Sequence, residues 1–572
     1  MPYLRAGYVI DESRWEELNR QGRNYWWIYI EEILDRLGLT ASPIRLTELR
    51  ERLPEFTVLF IGVAPVRDLA SDLKTWVDEG GMLIGCMTEG LDDLFGNEYV
   101  GRIPQPGDEF SIAGELYLDE YQAATEEVRC PIHAGKPLLI ISDIRLVRRV
   151  DSIPLGEVNG QPVITIWKPR IGYSVYFGFD LAQTFWAIQQ GRPVDADHDG
   201  DGYLRTGDAI VIGDYEPEIP YTDELLLLLE NIVSMAGIPL IHRLPPIGET
   251  VPDVLLFYGG DDEGSEGIQI PAAEFMAGRS LPYHINCMQR DGKYGLRPGE
   301  IERLRGLGTE LSPHFNFIDG FTHPSGFTRD DVERQARAFD EHFGTTPVCS
   351  NFHWCRWSGY AEPALWLAEQ GIQADNSYAH RPLHVLNPVN SIGFAFGTSF
   401  SFRFHADHSM GNRRIDVLEL PITAYEVGYT PEATDFPTLE RALRLAMHYG
   451  STMNFFYHPV YLAQHQTCRD TIDRLLSLIK DWGITAVHSA PDALARWWND
   501  RSRTAIGDVH WTDDGFAFTA CTPSPAGFIA KIPYSGLKPP WTNLPHKVVH
   551  KRLRGWLMIV LPPGETQVEV RL

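Results

Sequence analysis

The stretch DVLLFYGGDDEG, Asp253 to Gly264, decides how this chain is read. A short apolar run reaches two glycines and then presents two adjacent carboxylates, Asp261 and Asp262. Two like charges at the tip of a buried strand are costly unless something offsets them. A plain polar turn also follows many strands, so the pair gains meaning only from its surroundings. From Asp253 to about Arg501 a strand–helix rhythm continues. Strands are predicted at DVLLFY, LPYHINC, TELSPHF, TPVCSNF, GFAFG, DVLELPI and TMNFFYH. Helices are predicted between several of them, most clearly TRDDVERQARAFDEHFG, capped by Thr328, and DFPTLERALRLAMHYG. About seven or eight such units make a closed (β/α) barrel more economical than an open sheet.

Outside this region the pattern changes twice. RLPPIGETVP, Arg243 to Pro252, reads as a linker, because its prolines disfavour a helix and the periodicity stops. Before it, the helix YWWIYIEEILDRLGL, ended by Gly38, and the short strands TVLFIGV and MLIGC suggest a parallel α/β domain. PVITIW and GYSVYFGFD suggest a hairpin added to it, and DELLLLLENIVSMAG a closing helix. After Thr504, β-type runs separated by Gly and Pro suggest a small β-sandwich. The expected fold class is α/β: a flavodoxin-like domain at 1–245, a (β/α) barrel at 246–503 and a β-sandwich at 504–572.

The 572 residues exceed one hydrophobic core, and the net charge of -27 repels phosphate backbones and anionic membranes, so nucleic acid is not an expected partner. No apolar stretch approaches the roughly 18 residues of a membrane span. The start, MPYLRAGYVIDESRW, lacks a basic segment followed by an apolar one, so a cytoplasmic location is expected, or a secreted one if a leader was removed. Seven cysteines with no CxxC pair fit a reduced compartment and argue against a thiolate zinc site.

Barrel active sites lie at the C-terminal ends of strands. Asp261 and Asp262 end the first strand, His314 ends TELSPHF, His353 ends TPVCSNFH with Arg356 close behind, and His458 ends TMNFFYHP. One aspartate with two histidines is a common divalent-metal set that leaves positions for water. A second carboxylate beside the cation can accept a proton, and the cation offsets the repulsion within the pair.

With these residues placed, the central segment resembles the polysaccharide deacetylase family of carbohydrate esterases, over roughly 250 residues judged from motif spacing. GGDDEG resembles the family's aspartate pair, which implies Asp261 as general base and Asp262 as metal ligand. LSPHFN implies His314 as a ligand, NFHWCRWSGY implies Arg356 as the group orienting the base, and FFYHP implies His458 as the acid for the leaving amine. GIQADNSY, GFAFGTSFSF and DVLELPIT match the remaining run of motifs. The family pairs two histidines on one short turn, whereas no histidine follows His314 until His323. The third ligand is therefore His353, which ends a strand, or His323 in GFTHPSG.

The N-terminal segment resembles glutamine-amidotransferase-like domains, with Cys86 in LIGCMTEG where such enzymes carry a nucleophile. No matching His–Glu pair follows, which implies a non-catalytic domain used for assembly, including self-association. In DADHDGDGYLRTGD, Asp195, Asp197, Asp199 and Asp201 alternate as in a calcium loop; Thr206 replaces the closing glutamate, with Asp208 as a substitute. The expected activity is metal-dependent hydrolysis, with zinc as the cation, of an N-acetyl or other N-acyl group on a carbohydrate. The alternatives are a catalytically silent glycan-binding scaffold and a glycoside hydrolase with Glu419 as distant partner.

Overall fold

A computed structural model describes residues 4–571 except 214, 380–391, 430–435, 535, 537–539 and 554. Every residue of the strand Val254–Asp261 is buried, as its apolar composition requires. At its tip it pairs in parallel with His284–Met288, and along its length with Thr452–Phe456. His284–Met288 pairs with Glu310–Phe315, and that strand with Asn351–Phe352. Ser350 N to Ala374 O (3.1 Å) and Asn376 N to Ser350 O (2.9 Å) carry the ladder on to Ala374–Asp375. Ala374–Asp375 pairs with Arg414–Glu419, and the following Ala424–Tyr425 pairs with Thr452–Phe456. The parallel pairing thus forms two arcs, joined through the chain segment between Glu419 and Ala424. Ala486–Ser489 adds to the base of Val254–Asp261.

The helix Arg329–Phe343 starts at Thr328 through a reciprocal capping box with Asp331, as the sequence predicts. GFAFG, predicted as a strand, is instead a turn closed by Gly397 N to Phe394 O (2.7 Å). Its Phe394 and Phe396 are buried, so their apolarity reflects tertiary packing rather than a place in the sheet. A strand absent from the sequence reading, Phe402–His405, runs antiparallel to Arg414–Glu419.

In the N-terminal region, Ala41–Arg45, Ala6–Ile10, Val58–Ile61, Met82–Cys86 and Tyr173–Phe177 form a parallel array in that spatial order. Gln161–Trp167 and Ile153–Val158 extend it in antiparallel fashion, so the predicted hairpin is present. Gly38 ends its helix in the left-handed region (φ 77°), and a Cβ there would meet Ile241 O at 1.9 Å. At the C-terminus two antiparallel sheets share one apolar cluster that includes Phe518, Phe528, Leu557 and Val568. Leu240–Ile241 joins the second of these sheets by pairing with Phe528–Tyr534. The segment entering the predicted linker is therefore tied down. Buried Glu230 of the helix Tyr221–Ser234 also pairs with Lys531 and, at 3.2 Å, with Arg243. Among the described residues no helix is long and apolar enough to cross a membrane.

Candidate active site

The second glycine of the opening stretch is answered by the strand beside it. A Cβ on Gly260 would lie 1.7 Å from Tyr457 O, so only glycine lets the two strands stay together to their tips. Tyr457 N donates to Gly259 O at 2.7 Å, which sets His458 beside Asp261. They meet in a cavity of about 470 Å³ whose walls include Asp261, Glu263, His353, His458, Trp354 and Tyr425. A larger hollow of about 680 Å³ lies beyond the C-terminal ends of the N-terminal sheet's strands, but its Glu12 and Arg45 already pair with each other at 3.2 Å.

The aspartates are turned to different partners. Asp261 Oδ1 accepts from Asn286 Nδ2 at 2.8 Å, and Oδ2 lies 3.6 Å from His314 Nε2 and 4.0 Å from His458 Nε2. Asp262 Oδ1 accepts from the backbone N–H groups of Gly264 and Met288, both at 2.8 Å, and Oδ2 accepts from Gln269 Nε2 at 3.2 Å. The carboxylate expected to bind metal is thus spent on holding the turn, and Asp261 faces the histidines. Glu263, in the left-handed region at φ 47°, reaches His458 Nε2 at 3.4 Å and His353 Nε2 at 3.8 Å.

His314 is buried, and neither ring nitrogen has a hydrogen-bond partner. His353 packs edge-on to it with ring centroids 5.0 Å apart, and its Nδ1 is also without a partner. Buried nitrogens without partners are uncommon because each forfeits its solvation. Two donors bound to one tetrahedral ion at about 2.1 Å each sit roughly 3.4 Å apart. The 3.6 Å between Asp261 Oδ2 and His314 Nε2 is close to that spacing. Asp261 and His314 thus have the spacing of two ligands of one cation, whereas no three of Asp261, Asp262, His314 and His353 bring their ligand atoms within 4.8 Å of one another.

Burial pushes the Asp261 carboxyl up to about 7, with His458 opposing the rise. Burial holds His314 well below the usual imidazole range and so keeps it neutral. His458 goes the other way. Burial opposes its charging, but the Glu426 carboxylate on Nδ1 and Glu263 on Nε2 raise it well above the usual range. Glu263 is held anionic chiefly by the His353 and His458 rings that it faces. The cavity thus sets a neutral histidine beside a proton-loaded one.

Other predicted positions lie differently. Arg356 is fully buried, donates to Ser325 O and faces the Tyr203 ring at 5.9 Å; its side chain is not among the partners of Asp261, which Asn286 orients instead. His323 Nε2 donates to Ile318 O at 3.1 Å and its ring packs on Tyr203, outside the cavity wall. Glu419 is buried against Tyr378 N and the Asp375 carboxyl, away from the cavity, and burial raises it well above the carboxylate range. Burial likewise pushes the Cys86 thiol well up.

The acidic loop has an unexpected place. Its Gly200, Asp201, Tyr203 and Arg205 line the barrel cavity, and Trp357 N donates to Leu204 O at 3.1 Å. Asp197, Asp199 and Asp208 converge, with ligand atoms within 4.8 Å of one another. Asp195 is turned to His198 and Asp201 to Arg205, and Asp208 accepts from the N–H groups of His198 (2.6 Å) and Arg205 (2.9 Å). Three convergent carboxylates could supply part of a calcium coordination shell, the rest coming from backbone carbonyls or water.

Sequence reasoning missed Glu263, Glu426, Asn286 and the loop's contribution to the wall. Glu263 stands next to the quoted pair and was legible. Glu426 follows the Ala424–Tyr425 strand and carries no motif.

No protein-family model matches the chain, and no curated protein matches it in sequence. Among solved structures it is similar to a Mycobacterium smegmatis protein of polysaccharide-deacetylase type, at 13% identity and TM-score 0.31, over 45% of this chain and 95% of that one. It is similar to an allantoinase at 11% identity and TM-score 0.33, over 45% and 94%. A β-galactosidase from Bacillus circulans sp. alkalophilus matches at 15% identity and TM-score 0.25, over 32% of this chain and only 30% of its own length. At these scores the functional reading rests on side-chain geometry.

Proposed function

We propose that the chain is a metal-dependent hydrolase that removes N-acyl groups, N-acetyl in the first instance, from a carbohydrate. The observation that carries this reading is the pairing of Asp261 Oδ2 with the unpartnered His314 at 3.6 Å, beside a His458 clamped between Glu426 and Glu263. Asp261 and His314 would hold the cation, with Asp262 exchanged for Asp261 relative to the family pattern, and the His353 ring would have to turn toward them to complete the set. When bound, zinc would polarise the acyl carbonyl and lower the pKa of water. His458 would give its proton to the departing amine, and Glu263, held strongly anionic, would keep His458 charged. Asn286 holds Asp261 in place, and Glu426 holds His458 charged. Tyr203, Trp354 and Tyr425 offer aromatic faces to a sugar ring.

The reading is tested by acetate release from N-acetylated oligosaccharides, with zinc added or chelated, in the natural chain and in His458→Gln. Zinc-dependent release that the substitution lowers by about 100-fold or more is expected. A chain that binds no stoichiometric zinc and releases no acetate supports a silent scaffold instead.

A further inference from the structure

Below the rim, three neighbouring strands carry a polar ladder. The register sets Gly259 against His284 against Glu310, and Asp261 against Asn286 against Ser312. Residues two apart on a strand share a face, so His284 and Asn286 project together, as do Glu310, Ser312 and His314. His284 is fully buried. Its Nε2 lies 2.9 Å from Asn286 Oδ1, and its Nδ1 lies 3.2 Å from Glu310 Oε2 and 3.6 Å from Asp492 Oδ1. Asn286 Nδ2 then donates to Asp261 Oδ1 at 2.8 Å.

The hydrogens follow from the acceptors. An amide that gives its NH2 to Asp261 must turn its carbonyl oxygen to a donor, and His284 Nε2–H is that donor. Nδ1 faces two carboxylates, so it carries a proton as well. A neutral imidazole has only one N–H. Burial opposes the charge, but the Glu310 hydrogen bond and the Asp492 charge outweigh it and raise the pKa of His284. Glu310 is itself pinned by the N–H groups of Asp492 (2.8 Å) and Ala493 (2.9 Å), at the start of the helix Pro491–Ser502. Ser312 Oγ and Arg496 complete the surroundings of Asp492, at 3.5 and 3.6 Å. Cys349 is the remaining neighbour, its sulfur within 4.8 Å of ligand atoms of His284 and Asp492.

We propose that His284 is a positioning residue for the active site: a buried imidazolium, clamped by Glu310 and Asp492, that locks the Asn286 amide so that Asp261 stays aimed at His314. The inference rests on the reading of Asp261 and His314 as cation ligands, and its test separates the two. The relay is general in its physics, since carboxylate ligands are themselves held by hydrogen bonds and loss of such a partner typically costs 10–100-fold in metal affinity.

Two measurements on the full chain decide it. The first is selective ¹⁵N-histidine NMR, with the His284 signals assigned by their loss in His284→Gln. Two protonated ring nitrogens from pH 6 to 8 are expected. A neutral single tautomer there overturns the relay whether or not any metal binds. The second is zinc affinity by competition with a chromophoric chelator. His284→Leu and Asn286→Ala should each weaken zinc binding about 10–100-fold, while His284→Gln, which keeps an N–H for Asn286, should stay within about threefold. If His284→Leu does not fold, the affinity of Asn286→Ala decides between the outcomes. Unchanged affinity in folded variants overturns the proposal, as does zinc found on His284, Cys349 and Asp492. If the natural chain binds no zinc, the hydrolase reading fails and the NMR result alone judges the relay.

Discussion

Replacing each member of the aspartate pair by alanine separates a ligand from a structural carboxylate. In Asp262→Ala three donors lose their acceptor: Gly264 N, Met288 N and Gln269 Nε2. Asp262 is 4% exposed, so water does not readily replace it. A buried donor left unpaired costs about 1–3 kcal/mol. With two backbone donors stranded and Gln269 free to turn to Ser265 O, its other partner at 2.6 Å, the loss is about 2–6 kcal/mol. In Asp261→Ala only the Asn286 hydrogen bond is lost, and a carboxylate that burial disfavours is removed with it. The metal-free stability should change less than in Asp262→Ala, because the one stranded donor, at about 1–3 kcal/mol, is offset by removal of a buried carboxylate. Denaturant unfolding of the metal-free chains reads the first difference, and zinc content after dialysis reads the second. Asp262→Ala should be destabilised yet, once folded, retain zinc; Asp261→Ala should be stable and lose it. A stable Asp262→Ala without zinc would refute the assignment and restore the family's order.

Further outcomes follow from other contacts. Gly260→Ala should cost about 3 kcal/mol or more or prevent folding, because its Cβ would meet a backbone oxygen that cannot move alone; thermal melting checks it. Lys531→Met should destabilise the chain by about 3 kcal/mol, since Glu230 then stays buried with Arg243 alone. Burial works against the Glu230 charge, but Lys531 and Arg243 lower its pKa to about 2. A depressed carboxylate stabilises the fold above its unfolded pKa, so this contribution is full above about pH 4.5 and fades toward pH 2; unfolding midpoints across that window should fall less steeply in Lys531→Met. Tyr203→Ala, on the loop that walls the cavity, should raise KM for an oligosaccharide about 2–10-fold with zinc content unchanged. An unchanged KM would remove the loop from substrate binding.

The sequence by itself determined the local elements and the identity of the histidines. Val254–Asp261, Glu310–Phe315 and Thr452–Phe456 are strands because their apolar runs have no other stable place, and residues at their ends must gather at one rim. Thr328, Asp331 and Gly38 announce helix ends through chemistry confined to a few residues. The tertiary structure alone decided which aspartate faces the histidines. Adjacent residues at a strand end point to opposite sides, and a shift of one position exchanges them; only the pairing of Asp261 with Asn286 fixes that choice. It also decided the clamp on His458, the loop over the cavity and the buried His284 ladder. These join positions as distant as Arg205 and Arg356, or His284 and Asp492. Contacts between such positions depend on the pairing of strands far apart in the chain, and no local pattern of residues encodes them.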